Sequence, residues 1–347
     1  MKISICIPTY NRAAHLNNCL HSILANRSRS ATEFEVCVSD NCSTDGTAEV
    51  VRAAQTSLAI KYQRNPSNLG LARNFLHAVA MAEGEFVWLL GDDDLLLPYA
   101  LEELSELIRQ HPSVEFFYIN SFHLTAQHVA SFPQPFDTAN LPVNMIPFST
   151  RTRSGEVGFL DLVDPRISFD FLGGMFLSVF RRGKWNEHVG ALDEAAMSDP
   201  RMFSHFDNTF PHVKIFSRAF ADSNAFFHAK PLSVCLTGAR EWAPMYPFIH
   251  SVRLVQALDE YRKNGLPYLR YLRCKNFALN NFLPDLGFML KHRESSGYVY
   301  VKPWRLLLGN ALYPNVYLSV VWFCLRKIRL GLGKIALRFH EDQVPLQ

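Results

Sequence analysis

The segment EFVWLLGDDDLLLP, residues 85–98, places Asp92, Asp93 and Asp94 side by side directly after an apolar run. Adjacent carboxylates repel one another, so a triplet at a strand end is either a solvated turn or half of a charge pair. Three further segments set polar side chains where strands should end: Pro8-Thr9-Tyr10-Asn11, Ser39-Asp40-Asn41, and the stretch from Asn65 through Asn68 and Gly70 to Arg73. A hard divalent cation such as Mg2+ or Mn2+ takes oxygen ligands, often one or two carboxylates plus phosphate oxygens and water. Asp92, Asp93 and Asp94 are therefore candidate metal ligands. Arg73 offers a planar fork for a phosphate or carboxylate, and Asp40 suits hydrogen bonds from a base or from ribose hydroxyls. Each has an ordinary reading when taken alone: a solvated turn for the triplet, an Asx turn for Asp40, a surface charge for Arg73, a turn hydroxyl for Thr9. Their joint occurrence at consecutive strand ends points to a site.

The elements that must position these residues alternate at short spacing. KISICIP is a β-favouring run ended by Pro8, and Leu16, Leu20, Ile23 and Leu24 then recur at helical spacing, with Asn11 as the expected cap. FEVCVSD, IKYQRN, EFVWLLG and VEFFYIN read as four further strands, separated by helical patterns over STDGTAEVVRAAQ, LGLARNFLHAVAMAEG and PYALEELSELIRQ. Strands alternating with helices predict an α/β fold with a mainly parallel sheet covered on both faces, and ligands of such sheets bind beyond the carboxyl ends of the strands. From Ser121 to Ser154 the pattern dissolves around four prolines and is expected to be a long loop or lid. GGMFLSVFRRGKW reads as a strand and turn, AFFHAKPLSVCL as a strand, and the chain from Tyr246 onward as helical.

At 347 residues and 48% hydrophobic content the chain can bury one large core or two. A net charge of +3 gives no argument for nucleic acid, and 27 Phe with 19% charged residues implies either heavy burial or an apolar contact surface. The seven cysteines form no CxxC pair, which fits a reduced intracellular protein better than a disulfide framework or a zinc site. The N-terminus reads as a strand, so no secretory signal is expected, and no uninterrupted apolar run is long enough to span a bilayer.

ISICIPTYNRAAHLNNCLHSIL, FEVCVSDNCSTDGT, NLGLARNF and FVWLLGDDDLLLP follow one another, over about the first 110 residues, in the order and spacing of a known family. The sequence resembles the GT-A-fold glycosyltransferases of family 2, and within them the branch of abequosyltransferases and related O-antigen sugar transferases. The resemblance implies a GT-A (Rossmann-like) sheet, a nucleotide-diphospho-sugar donor, a divalent metal (Mn2+ or Mg2+) and inversion at the anomeric carbon. It implies Thr9 beside the nucleotide, Asp40 on its base or ribose and Arg73 on the nucleotide portion; with the strand-end residues Pro8, Tyr10, Asn68 and Asp92 these are the expected lining of the donor. It makes the aspartate triplet a DXD-type metal motif in one of two registers. Aligned to D-x-D-D, Gly91 takes the first Asp position and Asp93 becomes the main ligand, assisted by Asp92 or Asp94; aligned as DXD itself, Asp92 and Asp94 are the pair. The expected organisation is a transferase domain over 1–240, with a nucleotide-sugar half to about residue 120 and an acceptor half beyond it. A helical region over 241–347 follows.

Such a reaction also needs a carboxylate to take the acceptor's proton, and the family's ED-like pair is absent. Asp161, Asp164, Asp170, Glu187, Asp193, Glu194, Asp199 and Asp207 are available. Asp207 is preferred, because aromatic neighbours could bury it and raise its pKa; Asp170 is the alternative. In LTGAREWAP, Arg240 and Trp242 could close over the diphosphate or sugar, or form an ordinary surface turn. The tail from Pro303 to His340 combines Trp, Tyr and Leu with basic residues and no acids. That composition suits helices lying on an anionic membrane surface, or else an ordinary packed tail with a basic face. The expectation is a peripheral protein at the cytoplasmic face of a bacterial inner membrane, acting on a lipid-linked oligosaccharide. A sugar-phosphate nucleotidyltransferase is the competing enzyme, disfavoured because PTYNRAAH lacks a Gly-rich phosphate loop; an oxidoreductase lacks GxGxxG. A non-catalytic nucleotide-sugar-binding protein on a membrane is the third reading.

Overall fold

The computed structural model describes residues 2–27, 33–238 and 242–341. They divide into two compact units, one of Met1–Ala243 with Asp259–Pro267, the other of Pro244–Leu258 with Tyr268–Gln347.

The first unit is built from β1 (Ile3–Thr9), α1 (Ala13–Arg27), β2 (Phe34–Asp40), α2 (Thr47–Gln55), β3 (Ile60–Arg64), α3 (Leu71–Ala80), β4 (Phe86–Leu89), β5 (Leu95–Leu96), α4 (Ala100–Gln110), β6 (Phe116–Thr125), β7 (Ile146–Pro147), β8 (Gly155–Gly158), β9 (Ser178–Arg181) and β10 (Asn224–Thr237). Among the described residues the strands form one sheet in the order β3-β2-β1-β4-β9-β6-β10-β5, with β7 beside β6 and β8 beside β10. β3, β2, β1 and β4 are parallel, as are β6 and β10; β9 runs antiparallel to both β4 and β6 and joins the two parallel sets. Each β1 residue is buried, as expected of a central parallel strand covered on both faces.

Register sets the site. Thr9 pairs with Asp40, and Asp40 with Arg64, so three segment ends fall in one row. On the other side of β1, Leu90 N–H donates to Cys6 O at 3.0 Å. The next rung on that side falls to Pro8, which has no N–H, so the ladder stops and the chain after Leu90 is released into the Gly91–Asp94 turn. Pro8 thus lies inside the strand rather than ending it, contrary to expectation. After the turn, β5 pairs antiparallel with β10, and Leu96 N–H donates to Ser22 Oγ at 3.0 Å. The three aspartates are therefore held between two anchored strands.

Three local expectations are corrected. Asn11 does not cap α1: it has a left-handed φ of 52°, and its Oδ1 accepts from Thr44 N–H at 2.7 Å. The first N–H of α1, from Ala13, goes instead to Asp45 Oδ2 at 2.9 Å. The segment expected as a loop begins with the second half of β6, because Ser121–Thr125 continue to pair with β10. It also holds the short β7, which closes on β6 with Ile146 opposite His123. Finally, the chain after β9 is a helix, Arg182–His188, where a turn was expected; Arg182 anchors its start by donating from Nε to Gly84 O at 2.7 Å.

Much of the phenylalanine load is internal. Phe116 meets Phe159, Phe216 and Phe220 edge-on, with Phe216 at 5.1 Å, and Phe180 stacks on Trp185 at 4.9 Å. Edge-to-face pairs of this kind favour burial beyond area alone.

The second unit is helical. In Phe282–Lys291, Asp285 is buried and accepts from Ser251 Oγ at 2.6 Å and His250 Nδ1 at 3.1 Å. The long final helix, Pro314–Glu341, is attached near its start. Val316 and Ser319 are buried, Ser319 Oγ accepts from Leu283 N–H at 3.2 Å, and Asn315 bonds twice to Asn276.

Candidate active site

The site assembles where β1, β2 and β4 end. Thr9, the last residue of β1, donates from Oγ1 to Asp92 Oδ2 at 2.8 Å. Arg12, three residues on, reaches the same turn: its guanidinium lies 3.1 Å from Asp92 Oδ1 and 3.0 Å from Asp93 Oδ2. Asp92, Asp93 and Asp94 are all buried. Burial pushes the Asp92 carboxyl up to about 7, against the pull of Arg12. A buried carboxylate pair of this kind requires positive charge, and among the described residues the Arg12 guanidinium is spread across both.

Asp94 has a different place. Its Oδ2 accepts from Gly91 N–H at 3.0 Å, and its own N–H donates to Gly91 O at 3.2 Å, so it closes the turn. A Cβ on Gly91 would come within 2.8 Å of Asp94 Oδ2 and 3.0 Å of Asp93 Oδ1. Glycine at 91 therefore lets the turn fold over its own carboxylates. Of the two registers raised by the sequence, Asp92 and Asp93 are the neighbours that share a counter-cation, and Asp94 is the one turned back on the backbone.

Asp40 is fully buried, accepting from Tyr62 Oη at 2.6 Å and from Ser43 N–H at 2.8 Å. Burial and then the Asp40 charge raise the Tyr62 phenol well above its ordinary value. Asn68 Oδ1 accepts from Asn41 Nδ2 at 2.7 Å and Gly70 N–H at 2.9 Å, fixing the loop before α3. Arg73, on the first turn of α3, reaches the helix Glu194–Ser198 and donates to Ser198 Oγ at 2.7 Å and Met197 O at 3.2 Å, with an ion pair to Glu194. Tyr10 is exposed beside this row, and Pro8 is buried within β1.

The acceptor-half residues are placed differently. Asp207 is buried, as expected, and its Oδ2 accepts from Lys214 Nζ at 2.7 Å and from Asp193 N–H at 2.6 Å. The aromatic setting expected for it thus omits an ion pair one helical stretch away. Asp193 in turn caps Glu194–Ser198 through Ala196 N–H, so Asp207 holds the helix on which Arg73 rests. Asp170 is exposed on a short 3-10 helix, Phe169–Leu172. Trp242 meets Phe203 edge-on at 5.6 Å, and Arg240 lies outside the described residues.

Two residues at the site were missed. Arg12 carried a signal, a lone cation just past a strand end facing an unbalanced triplet of acids. Asn74 carried a weaker one, a polar residue between Leu71 and Ala78 on the apolar stripe of α3. It is buried and donates to Thr9 O at 3.2 Å and Ser39 O at 3.0 Å, stitching the ends of β1 and β2 together. No group of three or more His, Cys, Asp or Glu side chains is gathered as a metal site among the described residues.

Residues 4–150 match the model of glycosyl transferase family 2. The chain carries a family 2 glycosyltransferase domain. The matched span contains Thr9, Arg12, Asp40, Asn68, Arg73 and the aspartate triplet, and stops before Asp170, Asp207 and Trp242. The abequosyltransferase RfbV of Salmonella typhimurium is 28% identical over 239 residues, 68% of this chain and 66% of that protein. The poly(ribitol-phosphate) beta-N-acetylglucosaminyltransferase TarS of Staphylococcus aureus is 37% identical over 116 residues, 33% of this chain and 20% of TarS. The match therefore spans less than two thirds of these relatives' own length. Among solved structures, S. aureus TarS 1-349 in complex with UDP aligns with a TM-score of 0.55 at 19% identity, over 88% of this chain and 77% of that one. The mannosyltransferase PcManGT from Pyrobaculum calidifontis, in complex with GDP-Man and Mn2+, aligns with a TM-score of 0.52 at 15% identity, over 92% and 84%. At these identities the likeness is one of fold, and the mostly parallel sheet flanked by helices is the GT-A arrangement expected for the domain.

Proposed function

We propose that this glycosyltransferase moves a sugar from a nucleoside-diphosphate donor to a lipid-linked glycan during bacterial surface-polysaccharide synthesis, with inversion at the anomeric carbon. The observation that carries the reading is the buried Asp92–Asp93 pair at the open ends of β1 and β4, with the Arg12 guanidinium reaching both carboxylates. Supporting it, S. aureus TarS is solved with UDP and with UDP-GlcNAc, and the Salmonella relative is an abequosyltransferase.

The donor set fits a hard divalent ion. Asp92 and Asp93 offer adjacent carboxylates, and a site with one or two protein carboxylates leaves the remaining positions to phosphate oxygens and water. Asp92 and Asp93 would hold Mn2+ or Mg2+, which supplies charge to offset that developing on the leaving diphosphate. The chain's own residues do the rest. Thr9 orients Asp92 through its hydroxyl, and Asp94 holds the turn. Asp40, Asn68 and Arg73, with Pro8 and Tyr10, border the row of strand ends where the nucleotide is proposed to lie. An acceptor hydroxyl then attacks from the face opposite the leaving diphosphate, giving up its proton to a carboxylate. Asp207 and Asp170 are the proposed bases, one buried beside Lys214 and the other exposed. Arg240 and Trp242 are proposed to cover the bound donor.

The test is release of nucleoside diphosphate from UDP-, GDP-, CDP- and dTDP-sugars with Mn2+, with and without a lipid-linked glycan fraction. Turnover of one donor, lost by about a hundredfold or more in Asp93→Ala, supports the reading. Turnover that survives Asp93→Ala, or none from any donor, refutes it. Asp207→Asn and Asp170→Asn separate the two bases: the true base lowers kcat while leaving the donor KM unchanged.

A further inference from the structure

The C-terminal unit carries an apolar surface that the sugar-transfer site does not use. Two helices, Pro303–Asn310 and Pro314–Arg329, meet at a bend of 107°. Leu308 is 70% exposed and Leu312, at the bend, 96%. Beyond Ser319 the described part of the final helix has no buried face: Val320 through Arg329 are all exposed, among them Val321, Trp322, Leu325 and Ile328. Monomeric soluble proteins rarely leave so continuous an apolar patch in water. The stretch 320–325 is apolar on every side, and such a stretch wants an apolar medium around it.

Charge selects the medium. Between Glu294 and Glu341 the chain has no acidic residue, while Lys302, Arg305, Arg326, Lys327 and Arg329 flank the apolar stretch. Trp304, Tyr317 and Trp322 are exposed along it, side chains with an apolar body and a polar tip. A second copy of the chain would bring like charges together around the patch, and repulsion of that kind disfavours pairing. Among the described residues no single helix is long and apolar enough to cross a membrane, and the bent pair meets that test by length and composition only when its two helices are taken together. Basic residues at both ends of the apolar stretch suit helices held at a charged interface.

We propose that the bent pair Pro303–Asn310 and Pro314–Arg329 docks onto an anionic lipid bilayer, with its apolar side chains among the acyl chains and its Lys and Arg residues on acidic headgroups. The proposal concerns this surface alone and is tested without donor or acceptor, so its failure and that of the sugar-transfer reading are distinguishable.

The experiment uses the full chain with vesicles of phosphatidylcholine alone or with about 30 mol% phosphatidylglycerol. The chain should cosediment with the anionic vesicles at least about a hundredfold more than with the neutral ones, and each reversal at Lys327→Glu or Arg329→Glu should lower partitioning onto the anionic vesicles by at least about fivefold. Leu308→Glu with Val321→Glu, both at exposed positions, should abolish it. Cys324 is the exposed cysteine on this surface, and an environment-sensitive dye attached there should brighten on anionic vesicles in the otherwise unaltered chain. Equal partitioning onto neutral and anionic vesicles, or no dye response, overturns the proposal. So does a lipid-free dimer that the Leu308→Glu, Val321→Glu variant dissociates while vesicle binding is unaltered, since the patch would then be a contact between copies.

Discussion

Replacing Arg12 with methionine removes the cation shared by Asp92 and Asp93 while keeping most of the side chain's volume. The guanidinium is about a quarter exposed, and the two carboxylates are nearly enclosed, with contacts of 3.1 and 3.0 Å. At an effective dielectric of about 20, each unit-charge pair at roughly 4 Å is worth about 4 kcal/mol. Solvent at Arg12 screens part of this, and removing one partner of a buried pair costs about 3–5 kcal/mol where the charge left behind has no escape. Asp92 has one: with Arg12 present its carboxyl already stands near 7, so without Arg12 it takes up a proton at neutral pH. That uptake caps the loss at about 2–3 kcal/mol, equivalent to a fall in Tm of roughly 5–10 °C for a domain of this size. Without the guanidinium no fixed positive charge repels a metal ion at the two carboxylates, although the proton taken up by Asp92 must leave as Mn2+ binds, so Mn2+ should bind more tightly above pH 7 and gain less below it. An ion at a hundred times its Kd stabilises by about 2.7 kcal/mol. Thermal melts in EDTA and in millimolar Mn2+, with calorimetric titration of Mn2+, measure both effects. The reasoning predicts a lower Tm in EDTA and a larger Mn2+-induced rise than in the unaltered chain. Equal melting in EDTA together with an equal Mn2+ response would refute the counter-cation role.

Other outcomes follow from the same structure. Gly91→Ala sets a Cβ within 2.8 Å of Asp94 Oδ2 and should destabilise by about 1–3 kcal/mol; Mn2+ affinity by calorimetry should drop with it, and an unchanged affinity would show that the turn adapts. Glu35 is buried in the lower part of the sheet, where burial opposes its charge. Ser4, Lys2, the Glu83 N–H and Lys61 nonetheless hold it down at about 2. Because its folded pKa lies below the unfolded one, its contribution of about 3 kcal/mol is present above pH 4.5 and lost as pH falls toward 2. Glu35→Gln should therefore lower the urea midpoint at pH 7 and converge with the unaltered chain near pH 2. His212 is fully enclosed, and burial pushes it down to about 3. Its stability term is likewise present above pH 6.5 and lost as pH falls from 6.5 toward 3. His212→Phe should flatten the decline in urea midpoint between pH 6.5 and 5; an unaltered slope there would show that another group controls it.

The local elements around the donor half were readable because each expresses a period. Largely apolar runs of four to seven residues bounded by Pro, Asn, Asp or Gly marked β1, β2 and β4, the short mixed run IKYQRN marked β3, and helical spacing marked α1 through α4. What periodicity could not show was anything depending on a partner distant in sequence. β5 is two residues long and exists only because β10 pairs with it. β6 runs past Asn120 into a polar stretch because the same β10 supplies its hydrogen bonds. Asn11 has the residue type of a helix cap, yet Ser43 and Thr44 compete for it, and Asp45 takes the cap.

By itself the sequence determined that carboxylates, a threonine, an asparagine and an arginine stand at the ends of successive strands, since strand ends are marked by local residue chemistry. Only the tertiary structure decided which of them meet. Arg12 and Asp92 are 80 positions apart in the chain, and the parallel pairing of β1 with β4 brings them to 3.1 Å. Asp207 could be read as an acid among aromatics, but its pairing with Lys214 depends on how the helix Pro211–Ala219 folds back on it. Charge pairing acts through space at a few ångströms, and the distance between two residues along the chain carries no record of it until the sheet register is set.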